Sequence, residues 1–172
     1  MRITMEETTV ISEPEPTLSE WIRKNPLELL ASVMCAALTL IVLFQVLFRY
    51  ALHFPLDWAE ELAMVIFQWV SFIGAGLAVR HGLHFHLDLI TRRFPERWQK
   101  ATEIIASAAI LVVAYILIHV GIMMMDMVKF ITLPVMHFSK AYVYLAIPVG
   151  GALMIVFQIP ILVRQIRSIG GR

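Results

Sequence analysis

Residues 57–79 read DWAEELAMVIFQWVSFIGAGLAV. Asp57, Glu60 and Glu61 stand at the head of Leu62–Val79, an 18-residue block without a charged side chain. About 20 apolar residues in a helix cross the roughly 30 Å hydrocarbon core of a bilayer. A carboxylate at the margin of hydrocarbon is costly unless something stabilises it. The fold depends on whether this block is a membrane span. The function depends on what holds its acids.

Three further blocks match it. Leu29–Phe48 gives 20 residues without charge, Ile104–Met125 gives 22 with His119 as the lone histidine, and Ala141–Val163 gives 23. Hydrophobic residues make up 59% of the 172 and charged residues 16%, against the half and quarter usual in soluble domains. No strand-like alternation runs through the blocks, so backbone polar groups in lipid must be satisfied by helices. The expected fold is an all-α integral membrane protein with four transmembrane helices, about 27–48, 58–79, 100–125 and 141–163. These form one domain, 26–165, after a disordered tail (1–16) and a short interfacial amphipathic helix (17–25), and before a second tail (166–172). Thr17-Leu18-Ser19-Glu20 is a capping-box pattern for that short helix, and Pro26 suits the first turn of the next. Glu6, Glu7, Glu13 and Glu15 make the first residues unlike a cleavable signal.

Lysine and arginine set the expected orientation. Eleven lie in the N-terminal tail, the 80–100 loop and the C-terminal tail, and three (Arg49, Lys129 and Lys140) on the other side. This bias puts both termini in the cytoplasm and DWAEEL on the outer face. The net charge of +1 points to no nucleic acid partner. The single Cys35 forms no intrachain disulfide.

If Asp57 is the N-cap, Asp57-x-x-Glu60 resembles a capping box, and the helix dipole favours acids in this first turn. Arg49 ends span one on the same side, and eight residues separate it from Trp58. So short a connection makes spans one and two antiparallel neighbours and brings Arg49 within reach of Glu60 or Glu61. A structural Arg–Glu pair is the expectation, with a contact to another subunit and proton coupling as the other roles for these acids. Their place at the helix start argues against coupling.

Other constellations carry less chemistry. His81, His84, His86 and Asp88 resemble a metal cluster, but neither helical nor extended spacing aligns them all, and they read as a polar turn. Haem ligation through His119 would need a facing histidine in another span, and spans one, two and four have none. His119 therefore reads as a hydrogen-bonded histidine within the bundle. Gln45, Gln68 and Gln158, with small residues from Ser71 to Ala78, are packing and interhelical hydrogen-bonding devices. Pro148-Val149-Gly150-Gly151 should kink span four or admit a close neighbour. No nucleophile–base pair, phosphate loop or buried acidic cluster is present, so no enzyme activity and no cofactor are expected.

Taken in order, Arg49-Tyr50, Pro55-Leu56, Trp58-Ala59-Glu60-Glu61-Leu62, Phe67-x-Trp69, Phe72-x-Gly74-Ala75, Arg80-x-Gly82-x-His84 and Asp88 form a set. With Tyr144-x-x-Ile147-Pro148-x-Gly150, the set resembles the small membrane subunit of tripartite ATP-independent periplasmic (TRAP) transporters, the DctQ-like family. The resemblance covers about residues 27–163. Met64 stands where the family often has arginine, which leaves Arg49 as the nearest basic partner for the acids. His86 stands where an aliphatic residue is more usual. The resemblance implies a subunit of the bacterial or archaeal cytoplasmic membrane with no substrate site of its own. Its implied partners are a large multi-span subunit holding the substrate and sodium sites, and a periplasmic binding protein that delivers an organic acid. Within that frame Arg49, Asp57, Trp58, Glu60, Glu61, Trp69, Gly74, Arg80, His84, Asp88, Tyr144 and Pro148 are candidate structural or subunit-contact residues. The alternatives are a self-sufficient small proton-coupled transporter and a haem-binding redox anchor.

Overall fold

A computed structural model of the chain describes residues 25–82 and 96–170. Helix α1 is Pro26–Ala51, α2 is Asp57–Arg80, α3 is Glu96–Val128, α4 is Ala141–Tyr144 and α5 is Ala146–Gly170. Four segments are long and apolar enough to cross a membrane: Pro26–Ala51, Asp57–Arg80, Thr102–Val128 and Ala141–Arg167. Their 24 to 27 residues give lengths of about 36–40 Å at 1.5 Å per residue, enough for the hydrocarbon and part of each interface. The fourth helix continues to Gly170, beyond the end placed at residue 163 by its first arginine. The expected short helix at 17–25 and most of the His81–Asp88 turn lie outside the described residues.

Local chemistry sets the ends. Pro26 occupies the first turn of α1, where its missing N–H removes nothing from the helix. At the other end of α1 the N–H groups of Leu52 and Phe54 both donate to the Phe48 carbonyl at 3.2 Å, and His53 turns the chain through a left-handed conformation with φ 54°. Helix α2 starts one residue earlier than a cap at Asp57 requires. Leu56 is the N-cap, no side chain caps the helix, and Asp57 and Glu60 both sit in the first turn. The dipole contribution of these acids survives this correction; the capping box does not. The fourth span breaks at Leu145, between α4 and α5. Pro148 has no N–H to donate to Tyr144, so the helical ladder is interrupted one turn before the proline.

The helices form a row in the order α1–α2–α5–α3. Among the described residues, α1 packs on α2, α2 on α5, and α5 on α3. The two inner helices bury most. Ala59, Ala63, Ile73, Leu77 and Val79 of α2 are buried, whereas α1 has no buried residue. Glycines let the row close. A Cβ on Gly76 would lie 2.9 Å from Leu153 Cβ, and one on Gly150 would lie 2.6 Å from Phe72 Cβ. On the other side of α5, a Cβ on Gly151 would lie 2.8 Å from the Ala114 carbonyl, and one on Gly121 would lie 2.6 Å from Pro148 Cδ. In a membrane no hydrophobic force joins helices, so this close backbone packing supplies much of the cohesion.

Gln158 lies in the interior of this packing, fully buried, and neither its amide oxygen nor its nitrogen has a partner. An unpaired buried amide costs about 1–3 kcal/mol. The interhelical hydrogen bond expected of Gln158 is therefore not made, although Ser107, also fully buried, donates one at 2.7 Å to Gln165 Oε1. Gln158→Met, which keeps the volume without the amide, is expected to leave the thermal midpoint in detergent unchanged or raise it by a few degrees. A fall of five degrees or more would show that the amide contributes to folding.

Candidate functional site

The acids of DWAEEL face two different neighbours, because adjacent helical residues point about 100° apart. Glu61 is half-buried and turns toward the connection between α3 and α4. The N–H of Val135 donates to Glu61 Oε1 at 2.9 Å and that of Met136 to Glu61 Oε2 at 2.8 Å. Each carboxylate oxygen thus accepts one backbone N–H of the same loop. The receiving loop is itself well built. Leu133 is buried, its N–H donates to the Phe138 carbonyl at 2.8 Å, and Lys140 N–H donates to Ile131 at 2.8 Å. The Ser139 hydroxyl donates to the Lys129 carbonyl at 2.8 Å and accepts the Ala141 N–H at 3.2 Å. His137 adopts a left-handed φ of 56° and sets one ring nitrogen 2.8 Å from the Val135 carbonyl. Glu61 thus fastens the start of α2 to the far hairpin of the chain.

Glu60 stays exposed. It lines a cavity of about 140 Å³ with Gln45, Arg49, Pro55, Leu56 and Asp57. The expected Arg49–Glu pair is not formed. The ion pairs among the described residues are Arg80–Glu28, His81–Glu28 and Lys129–Asp126. Arg49 shares the cavity with Glu60, while Glu61 is already committed to the loop. A wider open cleft of about 580 Å³ is lined by Asp57, Glu60, Glu61, Met64 and Val135. Trp58, next to Asp57 in the chain, is 48% exposed.

Arg80 organises the opposite end of the row. Its guanidinium donates to Asn25 Oδ1 at 3.0 Å, lies 3.4 Å from Glu28 Oε1, and sits 5.8 Å from the centre of the Phe157 ring. His81 Nε2 adds a 2.9 Å contact to the same Glu28 oxygen. One arginine therefore ties the end of α2 to the start of α1 and to α5. The sequence offered a signal for this site: Glu28 is the lone acid at the head of span one, on the same side as Arg80. Arg80→Ala is expected to weaken the α1–α2 contact by about 1 kcal/mol, a value limited by the partial exposure of the pair. Hydrogen exchange at the amides of residues 78–82 should then be faster, and Arg80→Lys should restore part of the protection.

The remaining candidates are spread out. Trp69 is half-buried in α2, and Tyr144 is half-buried at the end of α4. Pro148 packs against Gly121. Gly74 opens to space, with nothing within 4 Å of a Cβ built there. His84 and Asp88 lie outside the described residues. His119 is not the bundle histidine expected; it is exposed on α3 and stacks on Tyr115 with ring centres 6.4 Å apart. Ser107, Ala114 and Gly121 carry the side of α3 that packs inward, and His119 lies away from them.

These features define a multi-pass membrane protein whose polar groups brace its two ends. A model of the tripartite ATP-independent periplasmic transporters, DctQ component, matches residues 38–168. The chain belongs to that family, a transport component and not an enzyme. It is 32% identical over 127 residues to the sialic acid TRAP transporter permease protein SiaT of Haemophilus influenzae, a match covering 74% of this chain and 21% of that one. It is 25% identical to the sialic acid TRAP transporter small permease protein SiaQ of Vibrio cholerae over 138 residues, 80% of each. It is 28% identical to the isethionate TRAP transporter permease protein DctMQ of Oleidesulfovibrio alaskensis, covering 92% of this chain and 26% of that one. The chain thus spans about a fifth to a quarter of two of these relatives, in which the corresponding segment is joined to a much longer membrane permease.

Proposed function

We propose that this chain is the fixed small subunit of a TRAP transporter for an organic acid, driven by a sodium gradient. It holds a large membrane subunit that carries the moving transport machinery. Both termini face the cytoplasm, and the Asp57–Glu61 end faces the periplasm, where the open acidic cleft receives the binding protein. The observation that carries this reading is the use made of Glu61. Both its oxygens accept backbone N–H groups of one loop, an arrangement suited to bracing α2 against the α3–α4 connection. The buried polar side chains among the described residues are Ser107 and Gln158, neither of them charged, which fits a solute site carried by another subunit. The named solutes of the relatives, sialic acid and isethionate, differ in skeleton but are both organic anions. That difference fits a solute choice made elsewhere in the assembly.

Purification through a tag on this chain, after coexpression with the large subunit, tests the assembly. An equimolar complex is expected, and failure of the two to copurify would overturn the reading. The docking role is tested separately. Asp57→Lys with Glu60→Lys should weaken binding-protein capture by the intact complex about tenfold or more, the result of reversing two charges at an interface. Unchanged capture would remove the acids from the docking role.

A further inference from the structure

Side chains that face lipid should be apolar or satisfied within their own helix, because hydrocarbon offers no hydrogen bonds. Away from its end, where Arg49 and Tyr50 stand exposed, the outer helix α1 obeys this. Its exposed residues include Val33, Leu40, Leu43, Phe44 and Leu47, and its hydroxyls on Ser32 and Thr39 donate to the carbonyls of Glu28 and Cys35 at 2.8 and 2.9 Å. In α2 the exposed Ser71 does the same toward Phe67 at 2.7 Å. The other outer helix, α3, departs from the rule. Tyr115 is the midpoint of the Thr102–Val128 span and 66% exposed. His119 lies one turn away, about 6 Å along the axis, and is also exposed. Each ring stacks on the other, and among the described residues neither makes a hydrogen bond. Unlike a serine hydroxyl, a phenol or an imidazole projects past its own helix and cannot return to the carbonyl one turn back.

These two residues belong to a stripe. Ala108, Val112, Tyr115, His119 and Ile122 are all exposed, at alternating spacings of four and three. This is the spacing by which one helix packs along another at a shallow left-handed crossing. The stripe is distinct from Ser107, Ala114 and Gly121, which are buried.

We infer that this stripe of α3 is the seat of a transmembrane helix of the large membrane subunit, which offers Tyr115 and His119 a hydrogen-bonding side chain near mid-membrane. The inference rests on the scaffold reading and adds the face and its chemistry. The occupant is the large subunit because the corresponding segment in two relatives is 21% and 26% of the whole, so it is joined to about three to four times its own length of further permease. A body of that size has to lie against one side of the row, and α1, at the other end, is finished for lipid.

A photoreactive benzoylphenylalanine at position 119, and another at position 43 of α1, would be introduced separately into the coexpressed complex. Irradiation should join position 119 to the large subunit and leave position 43 unjoined to it. His119→Leu should lower recovery of the large subunit about three- to twentyfold, the value of one interhelical hydrogen bond in a membrane. His119→Gln, which keeps a polar group, should recover part of it, and Leu43→Ala should recover all of it. Adducts from position 119 to a second copy of this chain or to lipid alone, with the large subunit still copurifying, would overturn the inference. Equal recovery with His119→Leu would do the same. Loss of the large subunit from the unaltered complex would instead remove the scaffold reading beneath it.

Discussion

Gly150→Val is expected to prevent α2 and α5 from closing, with loss of a monodisperse protein or a fall of at least ten degrees in its thermal midpoint. The β-carbon would arrive 2.6 Å from Phe72 Cβ and 2.9 Å from the Phe72 carbonyl oxygen. Neither atom can swing aside, since one is backbone and the other is bonded to it. Overpacking of a built interior costs about 1–3 kcal/mol and sometimes more, and here it falls on the contact between the two inner helices of the row. Gly74→Ala is the matched control. Nothing lies within 4 Å of its β-carbon, so the isolated chain should be unaffected. Size-exclusion profiles and melting curves in one detergent make the comparison. Equal behaviour of the two variants would show that α2 and α5 do not approach as described.

Glu61→Ala carries the second large effect. Two N–H groups, of Val135 and Met136, lose a charged acceptor. Hydrogen bonds to charged groups contribute about 1.5–3 kcal/mol each, and partial exposure of this loop brings the pair toward about 2–4 kcal/mol in total. Hydrogen exchange should locate the loss. The amides of residues 133–140 should exchange at least tenfold faster, while those of α1 stay as they were. Glu61→Gln keeps an acceptor oxygen and should fall between. Glu60→Ala should leave the loop protected, because Glu60 faces the cavity shared with Arg49. Equal exchange in the Glu60 and Glu61 variants would contradict the separate tasks assigned to these acids.

The four spans were legible because hydrocarbon thickness dictates helix length, and charge-free blocks of 18 to 23 residues can do little else. The order of the helices in the row was not. It depends on which glycine meets which side chain, such as Gly121 against Pro148 or Gly76 against Leu153, and each of these pairings is one of many that composition allows. At the candidate site, Glu61 was legible as a residue needing a partner. Arg49 was the wrong partner, because the loop amides that hold Glu61 have no side-chain signature in a sequence. Arg80 was legible as a candidate, and its link to Glu28 was available from charge and side of the membrane alone. The outward position of His119 was also open to view, in the heptad spacing it shares with Tyr115 and Ile122. A lone histidine in a span reads as interior only when no neighbouring subunit is considered.

The two ends of the molecule show the same design. Glu61 binds α2 to the α3–α4 loop at one end, and Arg80 binds it to α1 and α5 at the other. A row of helices braced at both ends, with Tyr115 and His119 exposed on one outer helix, is suited to standing still beside a moving partner. Uptake of a radiolabelled organic acid into vesicles measures this directly, with binding protein supplied and an inward sodium gradient imposed. The account predicts uptake when this chain and the large subunit are present together, and none above background with this chain alone. Uptake by this chain alone would contradict it.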